Sequence, residues 1–354
     1  MKTRPCSDCG VPEAIGRKYT WNVDGTITEK DSPERRVVIL ETDNLAMLFG
    51  IIGEEKQTSL DSIIVDAKRR SATHYMQSMF GELSVQAMQF LGMHPVFRYL
   101  SDRALVLGYG KIKIVKVKRL RSAEIKVSWP HFQPISLGDF AAASQVSLRG
   151  PVKIAWEPLE QNRYIYRAAA SHLERSSDDK ASIPVSPRLP GDIEYKMCDR
   201  CDVPLEIARY QWNMEKGIIT DPLTAHRITI CEVRDMESVL AGIERELGND
   251  LSDLFVSAQR QFVKSSFSQE EMRMSQQGYR RLLSLRGLGY LRDFEFDSTR
   301  MYMRIDNPAL PRILAGSVAA FYEMSTGDHG EVRWQVENEN SLVVTVERTS
   351  GTII

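Results

Sequence analysis

At 354 residues the chain is long enough for two domains, each with its own apolar core. Its 46 Lys and Arg nearly balance 47 Asp and Glu, leaving a formal net charge of −1. That excludes an overall basic field of the kind that holds nucleic acid or an anionic membrane, and no apolar run approaches the roughly 18 residues a membrane helix requires.

The chain opens Met1-Lys2-Thr3-Arg4-Pro5-Cys6 with no apolar stretch of the signal-peptide kind, so a cytoplasmic protein is expected. Cys6-Ser7-Asp8-Cys9-Gly10-Val11-Pro12 comes next. It returns 192 positions later as Cys198-Asp199-Arg200-Cys201-Asp202-Val203-Pro204. These two pairs hold four of the five cysteines. So few thiols in so long a chain fit a reducing compartment, where paired cysteines more often bind metal than form disulfides.

Behind the first cysteine pair, Tyr19–Val23 and Thr26–Thr28 flank an Asp24-Gly25 turn and predict a β-hairpin. Arg36–Leu40 predicts a third strand. Leu60, Ile63, Ile64 and Ala67 fall on one face of a helix, and Asp43 and Asp235 are expected to cap shorter helices just before each long one. The stretch between Arg70 and Tyr99 is rich in Met76, Met79, Phe80, Met88, Phe90 and Met93. It reads as a longer core helix pair or as an adaptable, Met-lined cover over a pocket. Lys111–Lys118 alternates as a half-buried strand should, and exposes Lys113, Lys116 and Lys118.

The second half repeats this order. Trp21-Asn22, Arg36 and Glu41 match Trp212-Asn213, Arg227 and Glu232. The helix face matches Leu251, Leu254, Phe255 and Ala258 at an offset of 191. Gly108 and Gly110 match Gly287 and Gly289 at 179, and Pro130, Gly138, Ala141 and Trp156 match Pro308, Gly316, Ala319 and Trp334 at 178. A period this long marks a duplicated domain, not a solenoid. We expect an α+β fold with a first repeat over 1–175, a polar, Pro-rich linker over 176–191 and a second repeat over 192–354, the repeats forming an intramolecular pseudo-dimer. Ser268 and Glu271 have capping-box spacing. Asp293, Glu295 and Asp297 stand where the first repeat has lysines, which reads as two solvated strand faces or as a charge code favouring unlike halves. Cys231 lies within a strand and reads as a buried, small apolar residue.

A two-residue gap aims both sulfurs of a Cys-x-x-Cys turn at one ion, with Gly10 and Asp202 suited to the tight backbone. One such turn supplies two ligands, whereas structural zinc takes four. Cys6, Cys9, Cys198 and Cys201 together meet that count around one shared zinc, clamping the halves. Two separate ions completed by carboxylates or His226 are a less economical arrangement, and the same thiolates could hold an iron–sulfur cluster. A redox dithiol fits poorly, since these motifs precede hairpins instead of sitting where a strand enters a helix.

Leu285-Arg286-Gly287-Leu288-Gly289-Tyr290, Asn307-Pro308, Gly316–Glu323 and Trp334 together resemble the 4-vinyl reductase, or hydrocarbon-binding, domain family. The first half keeps the pattern more loosely through Leu107–Gly110, Trp129-Pro130, Gly138 and Trp156. The resemblance implies an antiparallel sheet against helices around a pocket for a small apolar or aromatic molecule. Cysteine ligands of the family's zinc-binding members do not transfer, because here the cysteines precede the domain.

No nucleophile–base pair or carboxylate dyad stands out, and the six histidines are scattered. Gly287-Leu288-Gly289 lacks the third glycine of a dinucleotide fingerprint and reads as a helix-ending turn. Glu323, after an apolar helix face, reads as a solvated helix residue or, alternatively, as a functional one. In the second repeat, Phe255, Phe262, Phe294 and Phe296 are expected around a pocket or in the core. The sequence therefore points to a zinc-binding, ligand-binding regulatory or accessory protein and not to an enzyme. A zinc-ribbon module for protein or nucleic acid, hinted at by Arg4, Arg17, Lys18 and Arg200, and an iron–sulfur enzyme are the alternatives.

Overall fold

The computed structural model describes residues 4–91, 94–171, 187–248, 251–272 and 274–349. A short helix α1 (Glu13–Lys18) leads into β1 (Tyr19–Trp21), β2 (Ile27–Glu29), β3 (Ser32–Glu41) and α2 (Thr42–Glu55). The long α3 (Asp61–Leu91) and α4 (His94–Leu107) precede β4 (Lys111–Lys118), β5 (Ser122–Ser128), α5 (Gln133–Leu148), β6 (Val152–Glu160) and β7 (Arg163–Ala170). A 3-10 turn (Leu205–Arg209) then introduces β8 (Gln211–Asn213), β9 (Ile218–Thr220), β10 (Arg227–Glu232) and α6 (Val233–Leu247). The chain continues through α7 (Ser252–Ser266), α8 (Gln269–Met272), α9 (Gln276–Leu285), β11 (Tyr290–Phe296), β12 (Arg300–Asp306), α10 (Pro311–Thr326), β13 (Gly330–Glu337) and β14 (Ser341–Arg348). The sheets are antiparallel and the class is α+β. Among the described residues no helix is long and apolar enough to cross a membrane.

The chain forms two compact units. One comprises Met1–Ile15, Ser59–Ile183 and Tyr210–Glu246, the other Gly16–Thr58, Pro184–Arg209 and Leu247–Ile354. These units interleave the halves of the sequence echo: each packs the hairpin strands of one half on the helices and glycine turn of the other. The bonds that tie hairpin to turn fall at matched positions. In the first unit Trp212 Nε1 donates to the Val106 carbonyl at 3.1 Å, and Arg227 donates to the carbonyls of Trp129 at 2.6 Å and Pro130 at 3.0 Å. In the second, Trp21 Nε1 donates to the Leu285 carbonyl at 3.0 Å and Arg36 to the Asn307 carbonyl at 2.6 Å. Of the expected linker, residues 176–186 lie outside the described residues. In its remaining part the Leu189 amide donates to Asn307 Oδ1 at 2.8 Å, within the second unit.

In the first unit the sheet β4-β5-β7-β6 carries α5, which α3 crosses closely. Gly138 sets that crossing, because a Cβ there would lie 2.7 Å from Lys68 Cβ. Val127, Phe140, Ala142 and Tyr166 centre the core beneath it. The second unit builds β11-β12-β14-β13 with α10 crossing α7. Here Gly316 permits the approach, since a Cβ would lie 2.5 Å from the Val256 carbonyl oxygen. Leu291, Met303, Ala319, Tyr322 and Val344 fill that core.

Several local expectations resolve here. The amide of Ser268 donates to Glu271 Oε2 at 2.7 Å and the amide of Glu271 donates back to Ser268 Oγ at 3.3 Å, a reciprocal capping box. Gly287, at φ +72°, ends α9 as a helix-closing turn should. Asp43 does not cap α2: it lies inside the first turn, and the N-cap position is Glu41. Asp235 likewise lies inside the first turn of α6 and turns inward. The bulge between Ile114 and Lys116 breaks the alternation of β4 and turns Val115 to solvent. In the Met-rich insertion Met76 is buried in the core of the first unit, whereas the side chains of Met79, Phe80, Met88, Phe90 and Met93 lie outside the described residues.

Candidate functional site

Two places gather chemistry. At the first, the backbone wraps each cysteine pair in the same way. The Cys6 amide donates to the Val11 carbonyl at 2.8 Å and the Gly10 amide to the Cys6 carbonyl at 2.9 Å. The Cys198 amide donates to the Val203 carbonyl and the Asp202 amide to the Cys198 carbonyl, both at 2.9 Å. Closing the turn needs a left-handed residue, met by Gly10 at φ +78° and by Asp202 at φ +55°. The sulfurs of Cys6, Cys9, Cys198 and Cys201 all lie within 4.8 Å of one another, with Cys6 and Cys198 buried. Four thiolates around one ion at ~2.3 Å would stand about 3.8 Å apart at the edges of a tetrahedron. The four cysteines therefore could bind a metal ion. Gly16 backs the second knuckle directly, since a Cβ there would lie 1.8 Å from the Cys201 carbonyl oxygen.

The second place is a cavity of about 110 Å³ inside the first unit. Ala72, Met76, Phe97, Leu100, Ile125 and Phe140 make its apolar wall. On one side it meets a buried ionic group. Lys68, with a side chain 6 % exposed, is ion-paired with Asp235 Oδ2 and, at 3.1 Å, with Asp139 Oδ1. Ser71 Oγ donates to Asp235 Oδ1 at 2.6 Å. Burial works against the ammonium charge, but Asp139 and Asp235 outweigh it and hold Lys68 well above the usual lysine range. Lys68 is therefore a fixed cation and not a nucleophile. Burial raises the Asp139 carboxyl above its ordinary value even though Lys68 opposes the shift.

His131 lines the same cavity, 5 % exposed, with its ring stacked on Tyr109 at 4.3 Å. Burial, with help from the charges of Arg227 and Lys68, lowers its pKa to about 3. The unfolded chain would take up this proton near pH 6.5 and the folded chain near 3. Stability from this residue is therefore complete above pH 6.5 and declines as the pH falls toward 3. His131→Ala should remove about 2 kcal/mol of the stability difference between pH 7.5 and pH 5. Urea unfolding of both proteins at the two pH values measures it, and an unchanged difference would contradict the assignment.

Cys231 is buried in β10, as expected of a small apolar residue, and burial pushes its thiol up to about 12. In the second unit a smaller cavity, about 70 Å³, lies among Phe262, Phe267, Leu288, Leu314 and Phe321. Of the four aromatics expected around a pocket there, Phe262 lines it. Phe255 is fully buried, Phe294 packs on Tyr279 at 5.5 Å, and Phe296 is exposed. Glu323 is not solvated. It is 3 % exposed, takes a 2.5 Å bond from Lys264 Nζ, and lies 2.7 Å from His329 Nδ1 and 3.4 Å from Arg260 Nη1. Burial opposes its charge, yet Lys264, the Gly330 amide and Arg260 outweigh it and hold the carboxyl below the usual range. It clasps α10 to α7.

Sequence reasoning brought together the four cysteines but passed over Lys68 and Asp139, read Asp235 as a helix cap and left His131 among scattered histidines. A signal for Lys68 was present: it lies eight residues after Leu60, on the apolar stripe of its helix. No protein-family model matches the chain, and no curated protein or solved structure matches it either.

Proposed function

We propose that this is a tandemly duplicated, zinc-stabilised binding protein that takes up a small, largely apolar molecule in the cavity of its first unit. Its thiol usage suits a reducing compartment such as the cytoplasm. The observation that carries the reading is the cavity itself. A cavity of about 110 Å³, walled by Met76, Phe97, Leu100 and Phe140 and bordered by fixed charges, has the composition of a ligand site. Its volume is on the order of the ~150 Å³ apolar cavity that accepts benzene. The reading agrees with the resemblance to hydrocarbon-binding domains, which implies such a pocket. Matched bonds at Trp21 and Trp212, and at Arg36 and Arg227, support the duplication. For the metal, the 4.8 Å limit on sulfur separation favours one ion over a cluster, which would spread the thiolates around two or more irons.

Benzene tests the pocket. Saturable binding, followed by NMR shifts and by a rise in the unfolding midpoint, is the expected result. Ala143→Phe should abolish it, because Ala143 lines the cavity and Phe321 occupies the matched position beside the smaller one. Absence of saturable binding, or equal binding by the Phe variant, would overturn the reading.

A further inference from the structure

Within the reading of this cavity as a ligand site, on which the inference rests, the geometry points to a small apolar amine as its occupant, bound as a cation with its ammonium group on Asp139. The argument begins with which polar atoms are already used. Asp235 has both oxygens engaged, one by Lys68 and one by Ser71. Asp139 is engaged by Lys68 through Oδ1, and its Oδ2 takes no hydrogen bond from the described residues. Its side chain is 29 % exposed and lines the cavity, in contrast to the 6 % of Lys68. Asp139 thus brings an acceptor not used by the described residues to the wall of the space a ligand would fill.

Charge agrees with this. Lys68 and Arg103 line the cavity together with Asp139, Glu232 and Asp235, an excess of one carboxylate. Against a largely apolar wall an ammonium ion answers that excess, whereas a carboxylate ligand would add to it. His131 points the same way. Its Nδ1 is buried with no hydrogen-bond partner, and a neutral imidazole can accept a bond there. A ligand rich in donors suits both atoms.

The second unit provides an internal contrast. At the offsets of the sequence echo, Lys68, Asp235, Asp139 and His131 correspond to Gln259, Asn44, Ser317 and Ala309. Gln259 Nε2 donates to Ser317 Oγ at 3.1 Å, so neutral groups stand at the matched positions, and the ion pair that lines the smaller cavity is a different one, Arg286 with Glu41. The α3–α5 crossing does not require charge at these positions, since the α7–α10 crossing is made with Gln259 and Ser317 there and carries its ion pairs elsewhere, at Arg260, Lys264 and Glu323. We read Lys68, Asp139 and Asp235, which have no charged counterpart at the matched positions, as a specificity device of the first unit.

The test is calorimetric titration of the full chain with benzylamine, benzyl alcohol, benzoate and benzene. Benzylamine should bind at least ~10-fold tighter than benzyl alcohol, with benzoate weakest. Asp139→Asn should weaken benzylamine binding by ~10-fold or more and leave benzene binding unchanged. Benzene binding with no preference for the amine, or a preference that survives Asp139→Asn, would overturn the inference and leave the pocket standing. Binding of none of the four compounds would overturn the pocket, and the inference with it. Should Asp139→Asn not fold, the rank order of the unaltered protein decides.

Discussion

Replacing Cys6 and Cys9 together by serine is expected to strip the protein of its metal, and replacing Cys198 and Cys201 is expected to do the same. The unaltered protein should carry about one zinc per chain. Neither knuckle can close a tetrahedral shell by itself, since each contributes two sulfurs, and the four sulfurs already stand within 4.8 Å of one another. Structural zinc supplies roughly 10–16 kcal/mol of apparent binding energy, as much as the whole net stability of an ordinary domain, about 5–15 kcal/mol. Both double variants should therefore lose cooperative unfolding or shift it far down in temperature. Cys231→Ala serves as the control: the thiol is buried, its pKa is pushed up to about 12, and metal content should not change. Elemental analysis of the three variants decides the matter. Half the metal retained in each double variant would mean two separate sites, and visible absorption would mean iron.

The knuckles were legible in the sequence because their chemistry is rare and their spacing short. Hairpins, glycine turns and the capping box of Ser268 and Glu271 were legible for a related reason: each is decided by residues close together in the chain. The exchange of hairpins was not. Both halves offer the same arginine, the same tryptophan and the same glycine turn, so local pattern is silent on whether Arg227 meets Trp129 or Asn307. Distance in the chain also hid Glu323, whose partners Arg260 and Lys264 lie on another helix. With those partners unseen, a helical glutamate is read as solvated. Phe296 failed in the opposite sense: it is apolar enough for a core, yet the far end of β11 leaves it exposed.

Lys68→Met is expected to destabilise the protein by about 3–5 kcal/mol, because it leaves two carboxylates facing each other in a buried place with their counter-ion gone. The size of that loss does not measure what the ion pairs contribute. Burying Lys68, Asp139 and Asp235 carries a desolvation cost that their attraction roughly repays, and removing one partner exposes the cost alone. The second unit shows how to separate the two effects. Its Gln259, Ser317 and Asn44 occupy the matched positions without charge, and Gln259 Nε2 donates to Ser317 Oγ at 3.1 Å. The triple variant Lys68→Gln, Asp139→Ser, Asp235→Asn should accordingly recover most of the loss, to within about 1 kcal/mol of the unaltered protein, with strong non-additivity among its single members. Denaturant unfolding of the unaltered protein, Lys68→Met, the triple variant and its three single members measures this. If the triple variant is as unstable as Lys68→Met, the charges hold the α3–α5 crossing itself. If it recovers while benzylamine binding disappears, then stability and recognition are separable, and the first unit carries its buried charges for the ligand.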